Sequence, residues 1–320
     1  MQGYSKILSE RFPVRKTEKE KQVFISFLEE ELQKMGYTPR VEETGRVKSR
    51  NIVVGNPEKA AVVLCAHYDT PARKWFGNLQ IPVNVPVYLG YQLLNMLILL
   101  IPSLILYLLA WQVLGKTAVW IFLLSYLALL LMETMGVGNQ QNRNQSSGLT
   151  ALMEIAFLLP EKARTHVAFV FFDRGEMFTL GAKSYAKEHL QVQYTRLILQ
   201  LDALGYGREL LLISRKGAQK CTGYQRVVRT LKKTECMNFH VSGNGLSICP
   251  GDYKCFQCGM ILMACTHRPI AGLCIPYLQT RKDTQTDEKQ VESIVKSVVQ
   301  AVQSFGEGQE NQVDEKRQVS

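Results

Sequence analysis

Three common sequence patterns are missing from this chain, and each absence narrows the range of functions. Residues 1–10 carry charges without an apolar stretch behind them, so we expect no secretory signal peptide. The net charge is +10, but Lys and Arg are dispersed and form neither a basic helix nor an aromatic-basic platform, so we expect no nucleic-acid partner. Eight cysteines at irregular spacing do not indicate a disulfide framework, which favours reduced thiols in the cytoplasm.

Apolar residues are concentrated in one segment of the chain. Residues 93–110 and 117–132 are two uncharged apolar runs, separated by a short connector at 111–116. With their flanks, each run approaches the roughly 20 residues needed to cross the hydrocarbon core of a bilayer. We therefore predict an inserted two-helix transmembrane hairpin over residues 85–135, with the lipid bilayer as a partner. A buried helical pair in a larger core is the alternative.

The charges that flank the two runs predict the orientation of the hairpin. Arg73, Lys74 and Arg143 lie towards the rest of the chain, whereas the connector contains only Lys116. The cytoplasmic flanks of membrane helices are the ones richer in Lys and Arg. Because a hairpin returns the chain to the side it left, we expect a multi-pass protein whose soluble domain and both termini are cytoplasmic.

Outside this segment the sequence has patterns of both helices and strands. Thr17 and Glu20 have the spacing of a capping box, and apolar residues at helical spacing follow it as far as Gly36. Continuous apolar runs at 61–65 and 167–172 are typical of strands buried on both faces of a sheet. The chain thus divides into a first α/β part (1–84), the hairpin (85–135), a second α/β part (136–305) and a polar tail expected to be disordered (306–320).

His67 and Asp69 mark the candidate site. They follow the apolar run 61–65, where a buried strand ends and the backbone enters a loop. Folds of the α/β class place their functional groups at such strand ends. An aspartate near a histidine can orient the imidazole while the other ring nitrogen binds a metal. We read the pair as a candidate metal site, and an ordinary hydrogen-bonded turn is the alternative.

Five short motifs occur in an order that resembles the M28 family of zinc metallopeptidases. The motifs are Ala66-His67-Tyr68-Asp69-Thr70, Asn144-Gln145-Ser146-Ser147-Gly148, Phe171-Phe172-Asp173-Arg174-Gly175-Glu176, Leu201-Asp202-Ala203-Leu204-Gly205 and Gln279-Thr280-Arg281-Lys282-Asp283-Thr284. The resemblance implies a three-layer zinc-peptidase (phosphorylase/hydrolase-like) α/β fold with a mixed, mostly parallel sheet. It also implies aminopeptidase chemistry at two zinc ions that share a bridging Asp and a water.

Four positions keep the residue types that the resemblance implies. The His and the later Asp that bind one zinc ion in this family fall on His67 and Asp202. The Asp that orients the first His falls on Asp69, and the Glu that binds the second zinc ion falls on Glu176.

Three positions depart from the family pattern. The bridging Asp falls on Asn144, the general base Glu on Gly175 and the distant His ligand on Gln279. A neutral amide cannot bridge two dications with a negative charge, glycine cannot take a proton, and an amide is a poor zinc ligand beside imidazole. The resemblance therefore implies at most one zinc ion, held by the retained ligands with weak contributions from Asn144 and Gln279.

Two further carboxylates, Asp173 and Asp252, lie in or beside segments that resemble the M28 family. Asp173 lies two residues before Gly175, where a local rearrangement could recruit it as a base, and a strand-end turn is the alternative. The segment Gly251-Asp252-Tyr253 aligns with the family's Ser-Asp-His turn. The resemblance implies that Asp252 and Tyr253 line the substrate pocket.

A cysteine-rich segment offers a separate zinc site. Cys255 and Cys258 have the spacing of a zinc-binding pair, and Cys265 with His267 could complete four ligands. Buried structural thiols are the alternative.

Three functions remain open on the sequence. The first is a membrane-anchored M28 homologue with an impaired catalytic site and a residual pocket for a peptide or a partner protein. The second is an active membrane-tethered zinc aminopeptidase that hydrolyses N-terminal peptide bonds. The third is a structural membrane protein with a zinc site in its cysteine-rich segment.

Overall fold

The fold is built on one mixed β-sheet with helices on both faces. The computed structural model describes residues 2–75, 77–243 and 247–318, without the side chains of Thr134 and of residues 307–318. The strands of the described residues are β1 (Pro39–Thr44), β2 (Ser49–Val54), β3 (Val62–His67), β4 (Leu79–Gln80), β5 (Val167–Phe172), β6 (Leu197–Leu201), β7 (Glu209–Ser214), β8 (Asn238–Gly243), β9 (Gly259–Arg268) and β10 (Gly272–Pro276).

The predicted mixed sheet is confirmed, and its parallel part lies at the centre. The strand order is β1-β2-β5-β3-β6-β9-β10-β4, with β7 pairing to β9 and β8 to β7. The central strands β5, β3, β6 and β9 are mutually parallel, whereas β2, β7 and β10 join them in antiparallel pairs. Every residue of β5 and β6 is buried, as expected of apolar strands covered on both faces.

Helices cover both faces of the sheet and so form the outer two layers. The helices are α1 (Tyr4–Arg11), α2 (Glu18–Lys34), α3 (Val85–Leu114), α4 (Ala118–Met135), α5 (Ser147–Leu158), α6 (Leu180–Glu188), α7 (Leu190–Thr195), α8 (Lys216–Lys220), α9 (Tyr224–Leu231) and α10 (Glu288–Gln318). Helices α2, α5 and α10 pack on one face of the sheet, and α6 and α7 pack on the other. The predicted capping box is present, with Thr17 and Glu20 each bonding the other's backbone N–H.

Helices α3 and α4 form a hairpin that projects from this domain. A single turn at Gly115–Thr117 separates them, and Gly115 has a positive φ of 56°. The rings of Tyr107 and Phe122 lie 6.2 Å apart across the pair, so the two helices run side by side. The hairpin contains the one segment of the described residues, Val85–Glu133, that is long and apolar enough to cross a membrane.

The surroundings of the hairpin contradict the alternative of a buried helical pair. Only 11% of the most apolar stretch of Val85–Glu133 is buried within the protein. Leu109 and Leu124 are 66% and 65% exposed. A helix pair at the centre of a soluble core would instead have most of its apolar side chains buried.

The hairpin leaves and rejoins the domain beside the carboxyl end of β3. A backbone bridge joins Ala72 to Gly138, and Arg73 N–H donates to the carbonyl oxygen of Val137 at 2.8 Å. The insertion therefore begins and ends next to His67 and Asp69.

The last helix, α10, extends to Gln318. Side chains from residue 307 onwards lie outside the described residues. The expectation of a disordered tail over residues 306–320 therefore stays a prediction.

Candidate functional site

The candidate site lies where the parallel strands β3, β5 and β6 end. In the register of the sheet, His67 is opposite Phe172, so that the residues following β3 and β5 meet at one edge. Asp202 follows the last residue of β6 at the same edge. Carboxyl ends of parallel strands are the usual place for binding groups in such sheets. The fold thus brings together the residues that the first, third and fourth motifs provide.

Asp69 joins the ends of two strands. Its side chain accepts backbone N–H groups from Gly175 at 2.7 Å and from Glu176 at 3.1 Å. Its Oδ1 also lies 3.3 Å from His67 Nδ1. Burial raises the pKa of Asp69, but the hydrogen bond and the charge of His67 and the two backbone N–H groups lower it below its ordinary value. Asp69 therefore holds the loop that carries Glu176 and lies beside the imidazole, and its predicted role of orienting a metal ligand stays a prediction.

Two glutamine side chains hold the Glu176 carboxylate. Gln145 Nε2 donates to Oε1 at 2.6 Å, and Gln279 Nε2 donates to Oε2 at 2.8 Å. His67 Nε2 lies 3.8 Å from Oε1. Burial raises the pKa of Glu176 to about 7, against the opposing effect of His67. Each carboxylate oxygen thus has an amide partner, and one of these amides belongs to Gln279, to which the sequence resemblance assigns the distant His ligand.

The imidazole of His67 occupies the space beside Gly175. A Cβ built on Gly175 would lie 2.4 Å from His67 Cβ and 2.6 Å from its Cγ, which is shorter than van der Waals contact allows. Position 175 therefore has no room for the side chain of a general base while His67 keeps this place. The departure at Gly175 is part of a packed arrangement that includes the neighbouring ring.

Asn144 is tied to the backbone of a neighbouring loop. Its Oδ1 accepts the Gly205 N–H at 2.8 Å, and its Nδ2 has no hydrogen-bond partner among the described residues. Its own N–H donates to Asp283 Oδ1 at 2.7 Å, and Gln145 N–H donates to Asp283 Oδ2 at 3.2 Å. Asn144, to which the sequence resemblance assigns the bridging ligand, therefore has a carboxamide oxygen that already accepts a hydrogen bond.

Asp202 and Asp252 are acidic groups of the site that have no side-chain hydrogen bond or ion pair comparable to those of Asp69 and Glu176 among the described residues. Burial raises the pKa of Asp202, while His67 and the Ala203 N–H oppose the rise. Asp252 is 1% exposed, and neither of its carboxylate oxygens has a hydrogen-bond partner among the described residues. Burial raises its pKa to about 7, with His67 opposing and Asp69 adding to the rise.

Tyr253, predicted to line the pocket with Asp252, has its side chain in the protein core. It is 2% exposed, and its hydroxyl donates to the carbonyl oxygen of Cys249 at 3.5 Å. Its N–H donates to Gln200 Oε1 at 2.9 Å, which fixes the backbone that carries Asp252. Tyr253 thus supports the turn, and its role towards a substrate stays a prediction.

Three site residues were not predicted from the sequence. Gln145 and Asp283 lie within recognised motifs, but no spacing rule assigns them a role. Arg15 is 2% exposed and lies in no motif. Its guanidinium donates to the Tyr68 carbonyl oxygen at 2.6 Å and to Ser146 Oγ at 2.7 Å, so it joins the loops of the first two motifs.

Asp173 belongs to a buried ion pair outside the site. It is 0% exposed, and its Oδ1 accepts from Lys21 Nζ at 2.8 Å. It also accepts the backbone N–H groups of Arg50 and Arg174 at 3.2 and 2.8 Å. These partners use the carboxylate at the strand end, which fits the structural alternative rather than recruitment as a base.

The cysteine-rich segment does not bring its thiols together. Cys255 packs beside Phe256 on one face of the sheet, 3.7 Å from Thr179 Oγ1, whereas Cys258 packs in the core cluster of the other face. Cys265 is buried in a third cluster and His267 is exposed. Within the described ranges, no three His, Cys, Asp or Glu side chains form a group that could hold a metal ion.

The donor set of the site does not fit a two-zinc centre. Both oxygens of Glu176 are bonded to amides, and the residues predicted for the bridging and distal ligand positions are the carboxamides Asn144 and Gln279. Carboxamides supply no negative charge and bind zinc weakly compared with carboxylate and imidazole. His67, Asp202 and Asp252 remain as groups of the types that a single ion prefers.

Comparison with known proteins agrees with this architecture. A sequence model described as Peptidase family M28 matches residues 144–257. The fold is similar to that of the aminopeptidase LapA of Legionella pneumophila, with 10% identity over 94% of this chain and 70% of that chain, and a TM-score of 0.58. No curated protein matches the sequence.

Two further solved structures are similar to the chain over nearly their full lengths. One is a glutaminyl cyclase of Bacteroides thetaiotaomicron bound to N-acetylhistamine, with 16% identity, 93% and 94% coverage, and a TM-score of 0.55. The other is a Zn-dependent exopeptidase of Parabacteroides distasonis, with 14% identity, 93% and 95% coverage, and a TM-score of 0.56. At these identities the likeness shows a shared fold.

Proposed function

We propose that the chain is a membrane-anchored protein with the M28 peptidase fold whose pocket binds the amino terminus of a peptide or partner protein. In this proposal the two-zinc aminopeptidase reaction is absent. The observation that carries it is the bonding of Glu176 to Gln145 and Gln279, at 2.6 and 2.8 Å. Two neutral amides there satisfy a carboxylate that a second metal ion would otherwise neutralise.

The loss of the base at position 175 supports the same proposal. Peptide hydrolysis needs a group within hydrogen-bond reach of the attacking water that can take its proton. Gly175 supplies none, the His67 ring fills the adjacent space, and Asp173 is paired with Lys21. Removal of a general base typically lowers a rate by about 10² to 10⁴.

The remaining charges favour an ammonium group as the ligand. Asp202 is a half-buried acidic group, whereas Asp252 is fully buried and has two oxygens without partners among the described residues. A buried carboxylate is costly unless a donor or a positive charge accompanies it. The α-ammonium group of a peptide supplies one charge and three N–H donors.

The hairpin α3–α4 is the proposed membrane anchor. Its exposed apolar surface needs a partner, and a bilayer supplies one without further protein contacts. We propose that both termini are cytoplasmic, because Arg73, Lys74 and Arg143 lie on the side of the domain and Lys116 alone lies at the turn. Eight free cysteines fit a reducing compartment.

Metal content tests the catalytic part of the proposal. Zinc is measured by elemental analysis in the detergent-purified wild type, in His67→Ala and in Asp202→Ala. We expect less than stoichiometric zinc in all three proteins and no hydrolysis of aminoacyl-nitroanilides. About one zinc per chain in the wild type, lost in both variants, would overturn this part.

Peptide binding tests the other part. A tripeptide with a free amino terminus and its N-acetylated counterpart are titrated into the wild type and Asp252→Asn. We expect the free tripeptide to bind the wild type at least tenfold more tightly than the acetylated one, and the variant to lose this preference. Equal affinity for both peptides in the wild type contradicts an ammonium-binding pocket.

A single-zinc aminopeptidase is the second candidate function. It is favoured by His67, Asp202 and Asp252, which are residue types that a single zinc ion prefers and which interact electrostatically with one another. These groups would hold the ion, which would polarise a peptide carbonyl and a water. The metal analysis described above separates the two candidates.

A further inference from the structure

Three large apolar side chains are exposed on the domain next to the base of the hairpin. Trp75 is 63% exposed, Ile270 is 81% exposed and Tyr277 is 38% exposed. Trp75 lies between β3 and α3, whereas Ile270 and Tyr277 lie at the two ends of β10. Separate parts of the sequence thus place apolar groups on the same side of the domain, where water alone would disfavour them.

Cationic side chains accompany the aromatic residues of this surface. The guanidinium of Arg73 lies 5.6 Å from the Trp75 ring. Arg268 and Lys282 lie 6.0 and 5.7 Å from the Tyr277 ring, and both are exposed. Amphipathic rings with adjacent Lys and Arg are typical of the region where a protein meets lipid headgroups.

The surface is joined to both ends of the hairpin. Trp75 N–H donates to Glu133 Oε1 in the last turns of α4, at 3.3 Å. The side chain of Asn84, which caps α3, donates to the carbonyl oxygen of Ile270 at 3.4 Å. Trp75 and Ile270 therefore lie where the two apolar helices enter the domain. Tyr277 lies against the segment that joins Trp75 to Asn84, because its N–H donates to the carbonyl oxygen of Asn78 at 2.9 Å.

We infer that one surface of the domain rests on the headgroups of anionic lipids. This headgroup surface consists of Arg73, Trp75, Arg268, Ile270, Tyr277 and Lys282. The inference rests on the proposed function, because it needs the hairpin to be in a bilayer. Continuity with the hairpin favours lipid over a second protein as the occupant. The positive charge of the surface favours anionic headgroups over zwitterionic ones.

The headgroup surface lies beside the candidate site. Lys74 N–H donates to the carbonyl oxygen of Gln279, whose side chain holds Glu176. A cavity of about 120 Å³ is lined by Lys74, Gln279 and Tyr88, the last on the first turn of α3. A ligand of the site would therefore approach along the membrane surface.

Tryptophan fluorescence in lipid nanodiscs tests the inference. The chain has three tryptophans, so Trp111→Phe with Trp120→Phe leaves Trp75 as the only reporter. Nanodiscs of phosphatidylcholine, with or without 30% phosphatidylserine, contain a lipid with a nitroxide on its headgroup. We expect at least twofold quenching of Trp75 with phosphatidylserine and clearly less without it.

Charge reversals supply the matched comparison. Arg268→Glu with Lys282→Glu should remove most of the dependence on phosphatidylserine. Lys59→Glu with Lys162→Glu, in exposed residues that precede β3 and β5 at the opposite edge of the sheet, should leave it unchanged. The assignment of an anionic headgroup surface is overturned if Trp75 is quenched equally in both lipid mixtures. It is also overturned if only the control pair of substitutions removes the dependence of quenching on phosphatidylserine.

A second reporter separates failure of the inference from failure of the anchor. Trp75→Phe with Trp111→Phe leaves Trp120, which lies on α4. If an acyl-chain nitroxide quenches Trp120 while Trp75 stays unquenched, the anchor stands and the headgroup surface is refuted. If neither is quenched, the membrane part of the proposed function fails as well.

Discussion

The imidazole of His67 lies against the backbone of Gly175, where a Cβ would stand 2.4 Å from His67 Cβ. Gly175→Ala should therefore destabilise the protein by about 1–3 kcal/mol, since a methyl group would be forced into a packed contact. Gly175→Glu should destabilise it at least as much and should not produce peptidase activity. Thermal unfolding in detergent and an aminoacyl-nitroanilide assay measure these outcomes.

The double variant with His67→Gly is the control for this prediction. Removal of the His67 side chain opens the space, so Gly175→Ala should cost much less in that background than in the wild type. Such non-additivity is expected of residues in contact and not of distant, independent ones. Equal costs in both backgrounds would show that the contact is not the cause.

The amides around Glu176 should be sensitive to a change of charge. Gln279→Glu places a second carboxylate at the position that now donates to Glu176 at 2.8 Å. We expect a loss of stability on the order of 2 kcal/mol or more, because a half-buried donor is replaced by a like charge. The loss should shrink as pH falls through about 7, the pKa of Glu176, because the two carboxylates can then share a proton. Gln225→Glu, in an exposed residue of α9, is the control and should have no effect.

The sequence predicts the strands of this fold better than the contacts of its site. Residues 167–172 were predicted as a strand and form β5 with the same bounds, because a continuous apolar run needs cover on both faces. By contrast β8, Asn238–Gly243, is partly exposed and has no such run, so its residues gave no signal. A strand that is buried on both faces is predicted more readily, because it needs a continuous apolar run.

The site shows the same division. His67 and Asp69 were predicted because their roles follow from their place at a strand end. The hydrogen bond of Gln145 to Glu176 joins residues 31 positions apart, and that of Gln279 joins residues 103 positions apart. Only the folded chain brings these amides to one carboxylate, so spacing alone could not assign them.

The buried pair of Lys21 and Asp173 should contribute to stability and not to binding. The two side chains are 2% and 0% exposed and lie 2.8 Å apart. Lys21→Met removes the closest cation of a buried carboxylate and should destabilise the protein by about 3 kcal/mol, while Arg174 Nε stays 3.6 Å from Asp173 Oδ2. Affinity for the free tripeptide, measured well below the melting temperature, should not change. A selective loss of binding would instead place Asp173 in the site.

Asp283 should make stability depend on pH. Burial raises its pKa to about 7, although the N–H groups of Asn144 and Gln145 oppose the rise. A carboxyl group with a raised pKa favours the folded state at low pH, and this contribution is lost as pH rises from about 4 through 7. Asp283→Asn lacks this titration. The melting temperature of the wild type minus that of the variant should fall as pH rises from about 4 to 7. A rise in this difference would contradict a raised pKa of Asp283 in the folded state.

Cysteine labelling should reveal on which side of the membrane the domain lies. Cys236 is exposed, whereas the other seven cysteines are buried or half-buried. In intact cells a membrane-impermeant maleimide should not label Cys236, and it should do so after permeabilisation. Cys236→Ser removes this signal and provides the background for Lys116→Cys in the turn of the hairpin, which should be labelled in intact cells. Because a hairpin places its turn opposite both termini, labelling of the two positions from the same side would refute the two-helix topology.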